Sequence, residues 1–141
     1  MRVASVLAAK GATVVTIGPE QTVREALQLF AKHNIGALVV VDRAHNAVGM
    51  ITARGILRSA LTNERTLSEP VGAVMTREVV IGQPEDDLMS VAQTMIERKI
   101  RHLPVMNQGM LVGIVSLGDL VKAQRDQYEG QVVTLEAQLP S

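Results

Sequence analysis

A chain of 141 residues with 47% hydrophobic side chains is long enough to bury a core, and fits one compact domain or two small halves sharing a core. Fourteen basic side chains balance fourteen acidic ones, so no global field draws nucleic acid or an anionic membrane, and any anion site must be local. The lack of cysteine excludes disulfides, zinc thiolates and cysteine nucleophiles, and Phe30 and Tyr128 as the only aromatics leave no stacking platform for single-stranded nucleic acid.

Met1, Arg2 and the apolar Val3 to Ala9 have the outline of a leader, but the apolar stretch stops at Lys10, at about the minimum length for one, and reads as a short lead-in. Thr13 to Ile17 is β-branched and reads as a strand closed by Gly18 and Pro19. Thr22 and Glu25 have capping-box spacing ahead of a helix whose apolar face is Val23, Ala26, Leu27 and Phe30. Ile35 to Val41 is the longest clean apolar run and falls far short of the roughly 18 residues of a membrane span, so a soluble, cytoplasmic protein is expected. A hairpin loop over Asp42 to Asn46 leads into a return strand ending at Thr52, and Ile56, Leu57, Ala60 and Leu61 mark a closing helix. A polar bridge, Thr62 to Glu69, ends at Pro70.

From there the same pattern is written a second time. Val71, Val74 and Met75 stand where Val3, Val6 and Leu7 stood, and Pro84 answers Pro19. Ile35 to Val40 matches Ile100 to Val105 at an offset of 65, and Val48 to Thr52 matches Val112 to Ser116 at an offset of 64. The lost residue falls in the hairpin, where Asn107, Gln108 and Gly109 replace the longer first loop. Asp87 is the expected cap of the second helix, with Leu88, Val91, Ala92, Met95 and Ile96 on one face. The organisation is thus a first repeat at 1–62, a linker at 63–70, a second repeat at 71–125 and a tail at 126–141. One repeat of about sixty residues buries little surface, so two are expected to pack face to face about a pseudo-twofold axis. The tail is expected to run as a polar helix to Tyr128, break at Gly130, and continue as a short apolar segment that contacts a partner or frays.

The chemistry gathers at Gly113 to Asp119, GIVSLGD, where an apolar strand ends in Ser116, passes Gly118 and meets Asp119. An ionised aspartate is acceptor-only and takes two neighbouring hydroxyls at once, as on a ribose; an aspartate just before a helix is equally an N-cap. His33 and His45 have no partner at ligand spacing, which argues against a metal site, and Glu85, Asp86 and Asp87 complement a helix dipole. There is no P-loop, no GxSxG and no separate carboxylate pair, so an enzyme is not expected.

The tandem repeat, the IRHLPV strand at Ile100 to Val105 and the GIVSLGD turn together resemble the cystathionine β-synthase (CBS) domain pair, or Bateman module, over roughly residues 1 to 125. That resemblance implies a mixed α/β (α+β) fold of two pseudo-twofold-related βαββα repeats packed through their small sheets. It implies a non-enzymatic, regulatory sensor of adenosine-containing ligands: AMP, ADP or ATP, sometimes NAD or S-adenosylmethionine. It also implies a bacterial cytoplasmic homodimer that acts on a target protein, while the charge balance and the scarcity of aromatics speak against nucleic acid or membrane as partner. By the same resemblance Ser116 and Asp119 match the ribose-binding pair beside Gly118, with adenine near Thr13, Val15 and the turn Ile35, Gly36, Ala37. The first repeat departs from the pattern, placing Gly55 where the carboxylate belongs. Thr52, Arg54, Arg101 and His102 then read as an impaired second cleft with phosphate-binding character. The alternative reading is a ligand-independent dimerisation or scaffold module with vestigial clefts.

Overall fold

A computed structural model describes residues 1–11 and 14–138, with residues 131–138 described through their backbone. The first half of the chain runs helix α1 (Val3–Lys10), strand β1 (Thr16–Ile17), helix α2 (Val23–His33), strands β2 (Ala37–Val41) and β3 (Ala47–Thr52), and helix α3 (Ala53–Thr62). A 3-10 turn (Thr66–Ser68) leads to the short helix α4 (Val71–Val74), helix α5 (Leu88–Arg98), strands β4 (His102–Asn107) and β5 (Met110–Ser116), and helix α6 (Leu117–Gln138). The fold is mixed α/β with small sheets and two repeats. One sheet has the order β1-β2-β3, with β1 parallel and β3 antiparallel to β2; the other pairs β4 with β5.

Local chemistry explains the element ends. Thr22 caps α2 by accepting the Glu25 N–H at 3.2 Å, and Asp87 caps α5 by accepting the Ser90 N–H at 3.1 Å, both as the sequence pattern anticipates. The two helices stop at equivalent left-handed residues, Asn34 (φ 54°) and Lys99 (φ 57°). In the first hairpin Asp42 Oδ1 accepts the N–H groups of Ala44 and Asn46, both at 2.9 Å, and His45 takes a positive φ. The second hairpin turns on two consecutive left-handed residues, Gln108 (φ 52°) and Gly109 (φ 79°), the backbone of the tight two-residue turn, which is why one residue fewer suffices.

By contact the chain forms two units that do not coincide with the sequence repeats. One gathers α1, Ile81–Asn107 and the stretch from Val112 through α6; the other holds the chain from β1 to Val80 together with Gln108–Leu111. Each unit contains the lead-in helix that precedes the other repeat in the chain. In the β1 to Val80 unit, Val71 N–H donates to Gln21 C=O (2.7 Å), Gly72 N–H to Pro19 C=O (2.8 Å) and Val23 N–H to Glu69 C=O (2.9 Å). In the α1 unit the equivalent three bonds run from Val3 to Asp86 (3.0 Å), Ala4 to Pro84 (2.8 Å) and Leu88 to Met1 (2.9 Å). The strand registers agree as well: Ile17 pairs with Val40 in parallel, and Gly82 bridges Val105 in parallel.

The buried core of the β1 to Val80 unit includes Ile17, Val23, Phe30, Leu38, Val40, Ile51, Ile56 and Val71. The α1 unit buries Val3, Val6, Leu88, Met95, Leu103, Val105, Val115 and Leu120. Two expectations change. The strand foreseen at Thr13 to Ile17 is regular only over Thr16–Ile17, and Thr13 lies outside the described residues. The foreseen break at Gly130 does not occur: α6 passes through it to Gln138, since one helical glycine costs only about 1 kcal/mol and neighbours such as Glu129 and Gln131 favour helix.

Gly49 and Gly113 are the points where a lead-in crosses a strand. A methyl group built at Gly49 would lie 2.7 Å from both Met75 Sδ and the Thr76 backbone oxygen, and Met50 and Thr76 exchange two backbone hydrogen bonds there (3.0 and 2.8 Å). At Gly113 the methyl would meet Leu7 Cδ2 at 2.5 Å, the tip of a side chain that is able to rotate away. Gly49→Ala should therefore destabilise the protein by about 1–3 kcal/mol and Gly113→Ala by distinctly less. Urea denaturation of the two variants checks the order, and equal losses would contradict it.

Candidate functional site

The end of β5 and the start of α6 form one hydrogen-bonded turn. Ser116 Oγ accepts the Asp119 N–H at 3.0 Å, and Asp119 Oδ2 accepts the Ser116 N–H at 2.8 Å. This is a reciprocal capping box with Ser116 as the cap and Asp119 three residues in, so Asp119 is not itself the N-cap. The first repeat caps α3 in the same way, Thr52 Oγ1 accepting the Gly55 N–H at 3.0 Å, and without a returning carboxylate. Both turns are tied to the residue just before the partner strand: Leu117 N–H donates to Arg101 C=O (2.9 Å) ahead of β4, and Ala53 N–H to Gly36 C=O (3.0 Å) ahead of β2.

Asp119 has a second partner that the sequence pattern did not single out. Lys10 Nζ lies 2.7 Å from Asp119 Oδ2 and 2.8 Å from the Ile114 carbonyl oxygen. Lys10 closes the last turn of α1, where a cation complements the helix dipole, and Gly11 (φ 96°) ends that helix by donating to Leu7 C=O at 3.1 Å. In sequence Lys10 marked only the end of an apolar stretch. Its contact with Asp119 depends on α1 packing against β5, between segments far apart in the chain.

Burial works to raise the pKa of Asp119, and the Lys10 ammonium with the Ser116 N–H and hydroxyl more than offsets it, leaving the carboxyl below its ordinary value and ionised at neutral pH. His102, half-buried at the start of β4, has its pKa lowered first by burial and then by the positive charge of Lys10; Asp119 opposes the shift and Arg101 adds to it. His102 is therefore neutral at neutral pH.

The described site residues separate by unit. Ser116, Gly118, Asp119, Arg101 and His102 belong to the α1 unit, with Gly118 and Arg101 exposed. A methyl built at Gly118 would meet Ser116 Oγ at 3.6 Å, an ordinary contact. Val15, Ile35, Gly36, Ala37, Thr52 and Arg54 belong to the other unit. There Val15 and Ile35 are partly buried against the core, Ala37 is buried within β2, and Arg54 is exposed in the first turn of α3. Each of the two groupings expected from sequence thus draws on both units, and Thr13 falls outside the described residues. Among the described residues no helix is long and apolar enough to cross a membrane.

Comparison with known proteins places this arrangement. The CBS domain family model matches residues 11–62 and 71–126. The CBS domain-containing protein YhcV of Bacillus subtilis (strain 168) is 39% identical over 122 residues, which cover 86% of this chain and 86% of that protein. The crystal structure of the CBS domain pair of protein MJ0100, in complex with 5′-methylthioadenosine and S-adenosyl-L-methionine, superposes with a TM-score of 0.81 at 26% identity, covering 90% of this chain and 98% of that one. The CBS domain protein PAE2072 from Pyrobaculum aerophilum, complexed with AMP, superposes with a TM-score of 0.75 at 27% identity, covering 84% and 89%.

The lowered pKa of His102 has a consequence for stability. Above its ordinary value of 6.5 the imidazole is neutral in both the folded and unfolded chains and contributes no pH dependence. As pH falls below that, the unfolded chain takes up a proton that the folded one resists, so stability declines until the folded imidazole also protonates. His102→Gln should lose less stability than the parent between about pH 7.5 and about pH 5.5. Denaturant unfolding at the two pH values checks this, and identical losses would contradict it.

Proposed function

The chain belongs to the CBS domain family, and on that premise we propose that it is a non-enzymatic regulatory module binding an adenosine-containing ligand through Ser116 and Asp119. The observation that carries the proposal is an ionised carboxylate held at the first turn of α6 beside a hydroxyl, in the α1 unit only. Ribose presents two adjacent hydroxyl donors, and a carboxylate presents two acceptor oxygens at matching spacing. The N-terminal end of α6, Lys10 and Arg101 make that side of the unit favourable for an anionic ligand. The relatives solved with AMP, and with 5′-methylthioadenosine and S-adenosyl-L-methionine, support the ligand class. Phosphorylated adenosines, NAD and S-adenosylmethionine are the ligands to test. Thr52, with Gly55 in place of a carboxylate, is the weaker site. Occupancy would be read by a dimer mate or a target protein in the cytoplasm.

A second reading, a ligand-independent dimerisation module, is favoured by the exposure of Leu57 (67%) and Leu61 (86%), one turn apart on α3. It requires a dimer whose mass and interface no nucleotide alters.

Charge-assisted hydrogen bonds contribute about 1.5–3 kcal/mol each, so loss of a carboxylate taking two hydroxyls should weaken binding by about a hundredfold to about ten-thousandfold. Isothermal titration of nucleotide-free protein should show AMP binding that Asp119→Ala reduces by that amount and Thr52→Ala reduces much less, with thermal unfolding confirming that both variants fold. Absence of heat with AMP, ATP, NAD and S-adenosylmethionine at high micromolar ligand would refute the nucleotide reading.

A further inference from the structure

The carboxylate that a ribose would need is already engaged. Asp119 Oδ2 accepts the Ser116 N–H at 2.8 Å and the Lys10 ammonium at 2.7 Å, and the same ammonium donates to the Ile114 carbonyl at 2.8 Å. A carboxylate that takes two vicinal hydroxyls uses both oxygens, so ribose and Lys10 compete for Oδ2. Resting on the nucleotide reading above, we propose that Lys10 is an exchangeable counter-ion that makes the site select phosphorylated adenosines over neutral or cationic ones.

Among the described residues Asp119 is the one ion-pair partner of Lys10. When hydroxyls displace it from Oδ2, the ammonium keeps its charge but loses that pairing, and its charge and that of Arg101 both reach the neutral His102. A neutral nucleoside supplies no anion to replace the carboxylate. A ligand bearing a sulfonium or ammonium adds like charge to the cluster. A phosphate ester supplies the missing anion, and the ammonium passes from Asp119 to the phosphate while the hydroxyls pass to Asp119. Two features make the exchange feasible. The Lys10 side chain is 43% exposed on a flexible four-carbon stem, so it swings without disturbing the core. Helix α1 ends at the next residue, so nothing in the helix confines the ammonium. In the other unit Gly55 stands where the carboxylate would be, and no such exchange is available there.

The test is isothermal titration of the full chain, Lys10→Met and Lys10→Arg with AMP, adenosine and S-adenosylmethionine, with thermal unfolding to establish that each variant is folded. The parent should bind AMP at least about tenfold tighter than adenosine, and S-adenosylmethionine no tighter than adenosine. Lys10→Met should narrow the AMP-to-adenosine ratio to within about threefold, by weakening AMP and strengthening adenosine, while Lys10→Arg keeps the parent's preference. Adenosine binding by Lys10→Met alone supports the exchange in its strongest form. An unchanged ratio in Lys10→Met, with both ligands bound, overturns the role of Lys10 and leaves the nucleotide reading standing. No binding of any of the three ligands to any of the three proteins overturns both.

Discussion

The three-bond backbone ladder that fastens a lead-in segment to each unit is the constraint on which the rest depends. It places Val3 and Val71 in equivalent buried positions and carries each lead-in across a strand at Gly113 or Gly49. A side chain at Gly49 would collide with the backbone of the crossing segment and one at Gly113 would force the Leu7 side chain to move, so the ladder and the glycines belong to one requirement, stricter at Gly49. Because the segment supplied to each unit precedes the other repeat in sequence, neither repeat is complete on its own stretch of chain. A repeat of about sixty residues is marginal in buried surface, and covering its sheet with a borrowed apolar segment offsets part of that deficit.

The same ladder delivers Lys10 to Asp119, and this changes how the carboxylate is understood. The capping of α3 needs only the Thr52 hydroxyl and the Gly55 N–H, so a glycine at the third helical position meets every demand of that turn. Asp119 does more than its counterpart: it returns a hydrogen bond to Ser116 and holds a lysine from a segment 109 residues away. Helix initiation explains the hydroxyl in both repeats. It explains the hydrogen bond that Asp119 returns to Ser116 as well, but not the lysine that Asp119 holds.

What the sequence makes legible follows from range. The caps at Thr22 and Asp87, the hairpins and the strand ends at Thr52 and Ser116 depend on residues within a few positions of one another, and the internal repeat checks each against its partner. The lead-in exchange is invisible locally, because Val3 to Leu7 and Val71 to Met75 carry the same apolar pattern wherever they pack. Lys10 was unreadable for the same reason: a lysine ending an apolar run looks like a solvated terminus until α1 is known to cross β5. Glycine misleads in the other direction at Gly130, where a weak local signal for a break yields to a helix with good formers on both sides. The family resemblance implies adenine near Val15 and Ile35, and the structure also gives both residues a core contact of their own.

With fourteen charges of each sign, the chain has no long-range field, and whatever electrostatic selectivity it has must come from a few groups at close quarters. The Lys10 and Asp119 pair suits that role because it is only partly shielded, with side chains 43% and 27% exposed. A pair sealed from water would cost several kcal/mol to separate, and no small ligand hydroxyl would compete with it. A partly exposed pair is screened by solvent and is held more loosely than a sealed one. The carboxylate is therefore kept ionised and positioned by a partner weak enough to be displaced, and the displaced ammonium still requires an anion. If nucleotide binds here as proposed, the partner that holds the carboxylate is also the one that decides which ligand it accepts.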